Sequence, residues 1–143
     1  MAHGEDTARV QCGVLAWRRA LHGVEVLLIT SRDTRRWVIP RGGRKGREPP
    51  SKAAAREAFE EAGVKGKVRR TPIGVYEFDK RLASGRTQPT LVAVYPMALR
   101  RELRTWPEKR ERERLWIDPE GAAERVQEPG LQALLARFNP EGA

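Results

Sequence analysis
The sequence of 143 residues predicts a mixed α/β domain organised around one acid-bearing helix. Three observations carry that expectation. Strand-type apolar runs stand on both sides of a single helical segment at about Ser51–Ala62. Two further helical stretches close the chain, the last with an apolar stripe of Leu131, Leu134, Leu135 and Phe138. The length suits one hydrophobic core. Residues 9–139 are expected to form that domain, after a small, polar and flexible segment at residues 1–8.

Taken in order, Val10–Trp17 and Val24–Thr30 read as a strand pair joined by a loop of about six residues, Arg18–Gly23. Ser31–Arg36 is a polar loop with three arginines. Trp37–Pro40 is a short extended piece, because Pro40 biases Ile39 away from helix. The helix follows, with Ser51 as a cap or a proline in the first turn, and Gly63 at its end. Further strands are expected at Val64–Arg70, Ile73–Asp79, Thr90–Leu99 and Leu115–Ile117. Lys80–Gln88 is a basic hairpin loop, and Arg100–Arg114 is densely charged apart from Trp106-Pro107. The last two helices begin near Asp118-Pro119 and at Pro129.

Charge and cysteine usage narrow the function classes. Lys and Arg outnumber Asp and Glu by 28 to 19, a net charge of +9 that concentrates anions near the surface. A polyphosphate ligand explains that charge as well as nucleic acid does. Cys12 is the only cysteine, so no intrachain disulfide forms, a reducing compartment is expected, and Cys12 reads as a small core residue. No apolar run reaches membrane-spanning length, and the N-terminus MAHGEDTARV has no apolar signal segment. A cytoplasmic location without membrane association is the resulting expectation.

On a helical wheel Glu57, Glu60 and Glu61 fall within an arc of roughly 100°, with Arg56 at its edge. Ala54, Ala55, Ala58, Phe59 and Ala62 cover the opposite, buried side. The carboxylates repel one another at i,i+3 and i,i+4 spacing. They are either a solvated face or a site for a hard divalent cation, which takes oxygen ligands alongside substrate phosphates. The preceding loop favours the second. Gly42, Gly43 and Gly46 let backbone approach a ligand. Arg41, Arg44, Lys45 and Arg47 place cations beside them.

The stretch from Gly42 to Val64 resembles the Nudix box, G-x5-E-x7-R-E-U-x-E-E-x-G-U, with U a bulky apolar residue. Gly42, Glu48, Arg56, Glu57, Glu60, Glu61 and Gly63 stand at the fixed positions, with Val64 at the last U. Ala58 departs, being apolar but small for its U position. Trp37-x-x-Pro40-Arg41-Gly42-Gly43, Ala53–Ala58 and Glu61–Gly66 look like the subgroup that hydrolyses diphosphoinositol and diadenosine polyphosphates. Trp106, Arg112 or Arg114, and Trp116 resemble that subgroup's C-terminal half.

The resemblance implies a Nudix-type α/β/α sandwich with a mixed sheet between helices. It also implies hydrolysis of a P–O–P linkage with Mg²⁺, for which Mn²⁺ can substitute. Glu57, Glu61 and Glu60 would then be metal ligands, completed by the backbone at Gly42, and Arg56 would orient a box glutamate. The general base would be one of these three or a glutamate outside the box, such as Glu102 or Glu108. Glu48 would lie near the metal or brace the loop, and Gly42 and Gly63 would serve structure. Phosphate contacts are expected from Arg41, Arg44, Lys45, Arg47, Arg36, Lys80 and Arg86, with Arg32, Arg35 and Arg81 as further candidates. Runner-up substrates are nucleoside triphosphates, nucleotide sugars and RNA 5′ ends. The competing class is a non-catalytic nucleotide- or RNA-binding module. Oligomeric state is unreadable from this sequence.

Overall fold
A computed structural model describes residues 9–142, so the expectation for residues 1–8 lies outside the described residues. Eight strands form one mixed sheet: β1 (Arg9–Ala20), β2 (Gly23–Thr30), β3 (Trp37–Val38), β4 (Arg41–Gly42), β5 (Val64–Val68), β6 (Gly74–Arg81), β7 (Thr87–Glu102) and β8 (Arg114–Ile117). Three α-helices pack on it: α1 (Pro50–Glu57), α2 (Pro119–Arg125) and α3 (Pro129–Ala136). The result is the expected α/β/α sandwich, with a buried apolar layer on each face of the sheet. On one face Cys12, Val14, Ala16, Leu27 and Ile29 meet Ala53, Ala54, Ala58 and Ala62 of the central helix. On the other Leu15, Val26, Leu28, Tyr76, Val92 and Val94 meet Leu131, Leu134 and Leu135 of α3.

The sheet pairing explains how a loop reaches the interior. β1 and β2 pair antiparallel only near their turn, from Trp17↔Val26 to Ala20↔Gly23. Beyond that point they part. Residues 37–42 fill the gap, Trp37 and Val38 pairing with β2 and Arg41 and Gly42 pairing with β1 at Gly13 and Cys12. The Val14 N–H donates to the Pro40 carbonyl at 3.0 Å, stitching the wedge between them. The other edge of β1 runs parallel to β7, from Arg9↔Thr90 to Trp17↔Ala98.

Several expectations need correction. The six-residue loop is a two-residue turn at Leu21-His22, because Arg18, Arg19 and Ala20 extend the ladder with Glu25, Val24 and Gly23. The strand expected at Thr90–Leu99 runs from Thr87 to Glu102, pairing with β6 and then with β5. The Lys80–Gln88 loop therefore shrinks to residues 82–86. The strand expected to Arg70 stops at Val68. α1 starts at Pro50, with Pro49 ahead of it and no side-chain cap, so Ser51 does not cap the helix.

The central helix also does not stay α-helical. Its second half, Ala58–Ala62, is a π turn, closed by Gly63 in the left-handed region (φ 66°), where the missing side chain removes the steric cost. The wider turn rotates Phe59 out of the core to a half-buried position, and Ala53 takes up the buried face instead. Among the described residues no helix is long and apolar enough to cross a membrane.

Candidate active site
The wedge and the central helix meet at Gly42. A β-carbon there would overlap the Glu57 carboxylate, so only glycine lets β4 lie against it. Glu57 and Glu61 are each only 8% exposed. The expected outward face of three carboxylates is thus a face turned inward. The Arg41 N–H donates to Glu61 Oε1 at 3.2 Å. Burial, with the adjacent Glu57 carboxylate adding to it, pushes the Glu61 carboxyl up to about 8, against the opposing pull of Arg112. Two buried acids share one small volume.

Arg56 is the buckle of the motif. Its Nε and Nη2 donate to both oxygens of Glu48 at 2.9 Å, a bidentate pair. Nη1 donates to Glu57 at 2.9 Å and to Glu60 at 3.4 Å, and Nη2 also reaches the Gly43 carbonyl at 3.0 Å. Glu48 in turn accepts from the Lys45 N–H at 3.0 Å. The bonds from Arg56 and Lys45 hold the Glu48 carboxyl down at about 2. One guanidinium thereby ties the glycine loop to the helix. Glu60, drawn toward Arg56 and toward Lys45 at 3.9 Å, stands apart from the buried pair. Among the described residues no three acidic, histidine or cysteine side chains already converge as a metal cluster.

A second set of contacts was not legible in the charged run Arg100–Arg114. A π turn frees backbone carbonyls that need donors. Trp106 Nε1 donates to the Glu61 carbonyl at 3.1 Å, and Arg114 Nη1 donates to the Ala62 and Leu103 carbonyls at 3.1 and 3.0 Å. Arg114 also stacks 4.0 Å over the Trp106 ring. The Glu108 N–H donates to the Glu60 carbonyl at 3.0 Å. Arg112 is almost fully buried, grips Glu108 at 2.7 Å and the Thr30 carbonyl at 3.1 Å, and comes within 3.7 Å of Glu61. Of the two outside glutamates, Glu108 is linked to the box. Glu102 is not, being occupied by Trp116 Nε1, Arg114 and Arg18. The Trp106-Pro107 break in the charged run was the one sequence signal for this set.

The basic candidates divide. Arg41 lies at the box, its guanidinium 3.9 Å over the Phe78 ring and bonded to the Tyr76 hydroxyl at 3.2 Å. Burial pushes the Tyr76 hydroxyl up to about 12, with Arg41 opposing and Glu128 and Glu61 adding. Arg44, Lys45 and Arg47 are exposed on the glycine loop. Lys80 is half-buried on the strand of Tyr76 and Phe78. Arg86 and Arg81 are exposed at the hairpin end, away from the box. Arg32 and Arg35 pair with Glu111 and Glu113, and Arg36 bonds Gln127 beside α3.

Comparison with known proteins agrees with this architecture. The NUDIX domain model matches residues 8–138. The chain is 36% identical over 120 residues to an Arabidopsis thaliana protein named Nudix hydrolase 13, mitochondrial, covering 80% of this chain and 59% of that protein. It is 54% identical over 54 residues to the Mus musculus diphosphoinositol polyphosphate phosphohydrolase 3-alpha, covering 37% of this chain and 32% of that protein. The chain thus spans well under two thirds of the length of the curated relatives it matches. Its backbone superposes on a C. elegans Ap4A hydrolase with a TM-score of 0.70 at 19% identity, over 92% of this chain and 95% of that one. That likeness speaks to the fold.

Proposed function
The chain belongs to the Nudix family, and on that premise we propose that it hydrolyses a phosphoanhydride bond with a divalent metal ion. The observation that carries the reading is the buried pair Glu57 and Glu61 against the backbone of Gly42. Two buried carboxylates side by side are costly unless a cation joins them, and the Glu61 carboxyl bears that cost as a raised pKa. This donor set fits Mg²⁺ or Mn²⁺, held by Glu57 and Glu61 with Glu60 and the Gly42 backbone as further oxygen donors. Such an ion, when bound, neutralises phosphate oxygens and supplies an activated water.

The residues of this chain do the rest. Arg56 keeps Glu57 oriented and the loop closed through Glu48. Arg112 holds Glu108 beside the box, which makes Glu108 the outside-box candidate to take a proton from the attacking water; Glu57, Glu60 and Glu61 are the others. Water adds to one phosphorus, the bridging oxygen leaves with its electron pair on the departing phosphate, and the water proton passes to the base. Arg41, Arg44, Lys45 and Arg47 are the proposed phosphate contacts, with Arg36, Lys80 and Arg86 as outer candidates.

The substrate class we favour is a diadenosine or diphosphoinositol polyphosphate, supported by the relatives' names and the net charge of +9. Turnover is tested with Mg²⁺ on diadenosine polyphosphates, a diphosphoinositol polyphosphate, nucleoside triphosphates, ADP-ribose and triphosphorylated RNA, alongside Glu61→Gln. Hydrolysis that collapses in Glu61→Gln is expected. Tight binding without turnover, unchanged by Glu61→Gln, would instead mark a binding module. A cytoplasmic location remains part of the proposal, and cell fractionation distinguishes it from the mitochondrial destination in the plant relatives' names.

A further inference from the structure
The box accounts for the phosphates; it leaves unexplained a set of polar groups on the opposite face of the sheet. Gln11 is only 9% exposed, and its Oε1 has no hydrogen-bond partner among the described residues. The Oε1 of Glu128 is likewise buried without a partner. Burying such an acceptor unpaired costs on the order of 1–3 kcal/mol, so two in one region call for a ligand.

These groups sit together. Gln11 pairs with Val92, and Val92 pairs with Tyr76, so the three side chains lie in one row on one face. That face is the one covered by α3. α3 passes so low over the row that a β-carbon on Gly130 would lie 2.8 Å from Tyr76 Cβ. Glu128 immediately precedes that helix. Arg36, bonded to the neighbouring Gln127, stands at the rim. Arg41 joins the row to the box: its backbone N–H holds Glu61 while its side chain stacks on Phe78 and bonds Tyr76.

We propose that Gln11, Glu128 and the Arg41–Phe78–Tyr76 stack form the specificity pocket for the group attached to the phosphates, and that this group is an amine-bearing nucleobase. The chemistry of the lining selects it. A carboxylate oxygen needs an N–H or O–H donor, and the Gln11 amide reads a donor or an acceptor according to its flip. Aromatic rings and a planar guanidinium favour a flat ring. A second polyanionic group, such as a phosphorylated inositol ring, would bring phosphate against the Glu128 carboxylate. The pocket therefore favours the adenine-bearing member of the proposed substrate class. This inference rests on the hydrolase reading for its biological meaning, but its test does not need turnover.

Binding is measured calorimetrically on the intact chain in EDTA, with AMP, IMP, ribose 5-phosphate and inositol hexakisphosphate as probes. AMP is expected to bind at least tenfold more tightly than ribose 5-phosphate, and IMP, with a carbonyl in place of the amine, several-fold more weakly than AMP. Glu128→Gln and Gln11→Leu should each erase most of the AMP preference while moving ribose 5-phosphate less than twofold. Thermal melts of both variants check that they fold, and the AMP/IMP comparison stands on wild type alone. Equal affinities for AMP, IMP and ribose 5-phosphate, or inositol hexakisphosphate binding that competes with AMP and is unaffected by Glu128→Gln, would overturn the pocket. Loss of turnover in every assay with the AMP preference intact would overturn the hydrolase reading and leave the pocket standing.

Discussion
Removing metal and raising pH should destabilise this protein through Glu61. The Glu61 carboxyl is raised from 4.5 to about 8 in the folded chain, so between those values the native state keeps a proton that the unfolded state has released. Unfolding then releases a proton, and stability falls as pH rises through the window. The limiting slope for one proton is about 1.36 kcal/mol per pH unit. Arg112 at 3.7 Å and the shared titration with Glu57 soften this, so a total loss of about 2–4 kcal/mol is the working figure. For a domain of this size that is a fall in Tm of roughly 5–15 °C. The assay is a series of thermal melts in EDTA from pH 5 to 8.5, repeated with saturating Mg²⁺ and with Glu61→Gln. Mg²⁺ should restore stability most at the alkaline end, where no proton must be displaced. Glu61→Gln should flatten the metal-free profile and melt higher than wild type at pH 8. A metal-free wild-type profile that parallels that of Glu61→Gln would refute the reasoning.

Gly42→Ala puts a β-carbon into the Glu57 carboxylate, and should cost about 1–3 kcal/mol by overpacking and at least tenfold in turnover, read by urea unfolding and initial rates. Arg56→Lys keeps the charge but loses the fork that bridges Glu48, Glu57 and the Gly43 carbonyl; turnover should fall about tenfold to a hundredfold, with looser protease protection of residues 43–48. Glu108→Gln should lower kcat by about tenfold or more if Glu108 takes the proton, whereas Glu102→Gln should leave kcat within about twofold, because Glu102 serves Trp116 and Arg114 instead.

Much of this site is readable from local spacing. The order Gly42, Glu48, Arg56, Glu57 and Glu61 places five interacting groups within 20 residues, and helix periodicity alone brings Arg56 alongside Glu60. What periodicity hides is the extra residue of the π turn, which moves Phe59 outward and opens carbonyls that Trp106 and Arg114 close. Those partners come from a stretch whose composition reads as solvated charge, and their role depends on β7 and β8 bringing it back to the helix end. Gln11 and Glu128 were equally silent. One is a polar residue in an apolar strand and the other a charge before a proline, and only the sheet register sets them near Tyr76.

The position of β1 also shapes how the molecule must fold. Cys12 holds Gly42 on one edge and Ala93 on the other, and the second of these neighbours is parallel. Parallel pairing across so much chain closes late, because its loop entropy is met before its contacts reward it. The box can therefore be locally complete, with its helix formed and Arg56 gripping Glu48, while Gly42 still lacks the strand that presses it against Glu57. Function in this chain is a property of the closed sheet, and any species stalled before β7 docks carries the motif without its site.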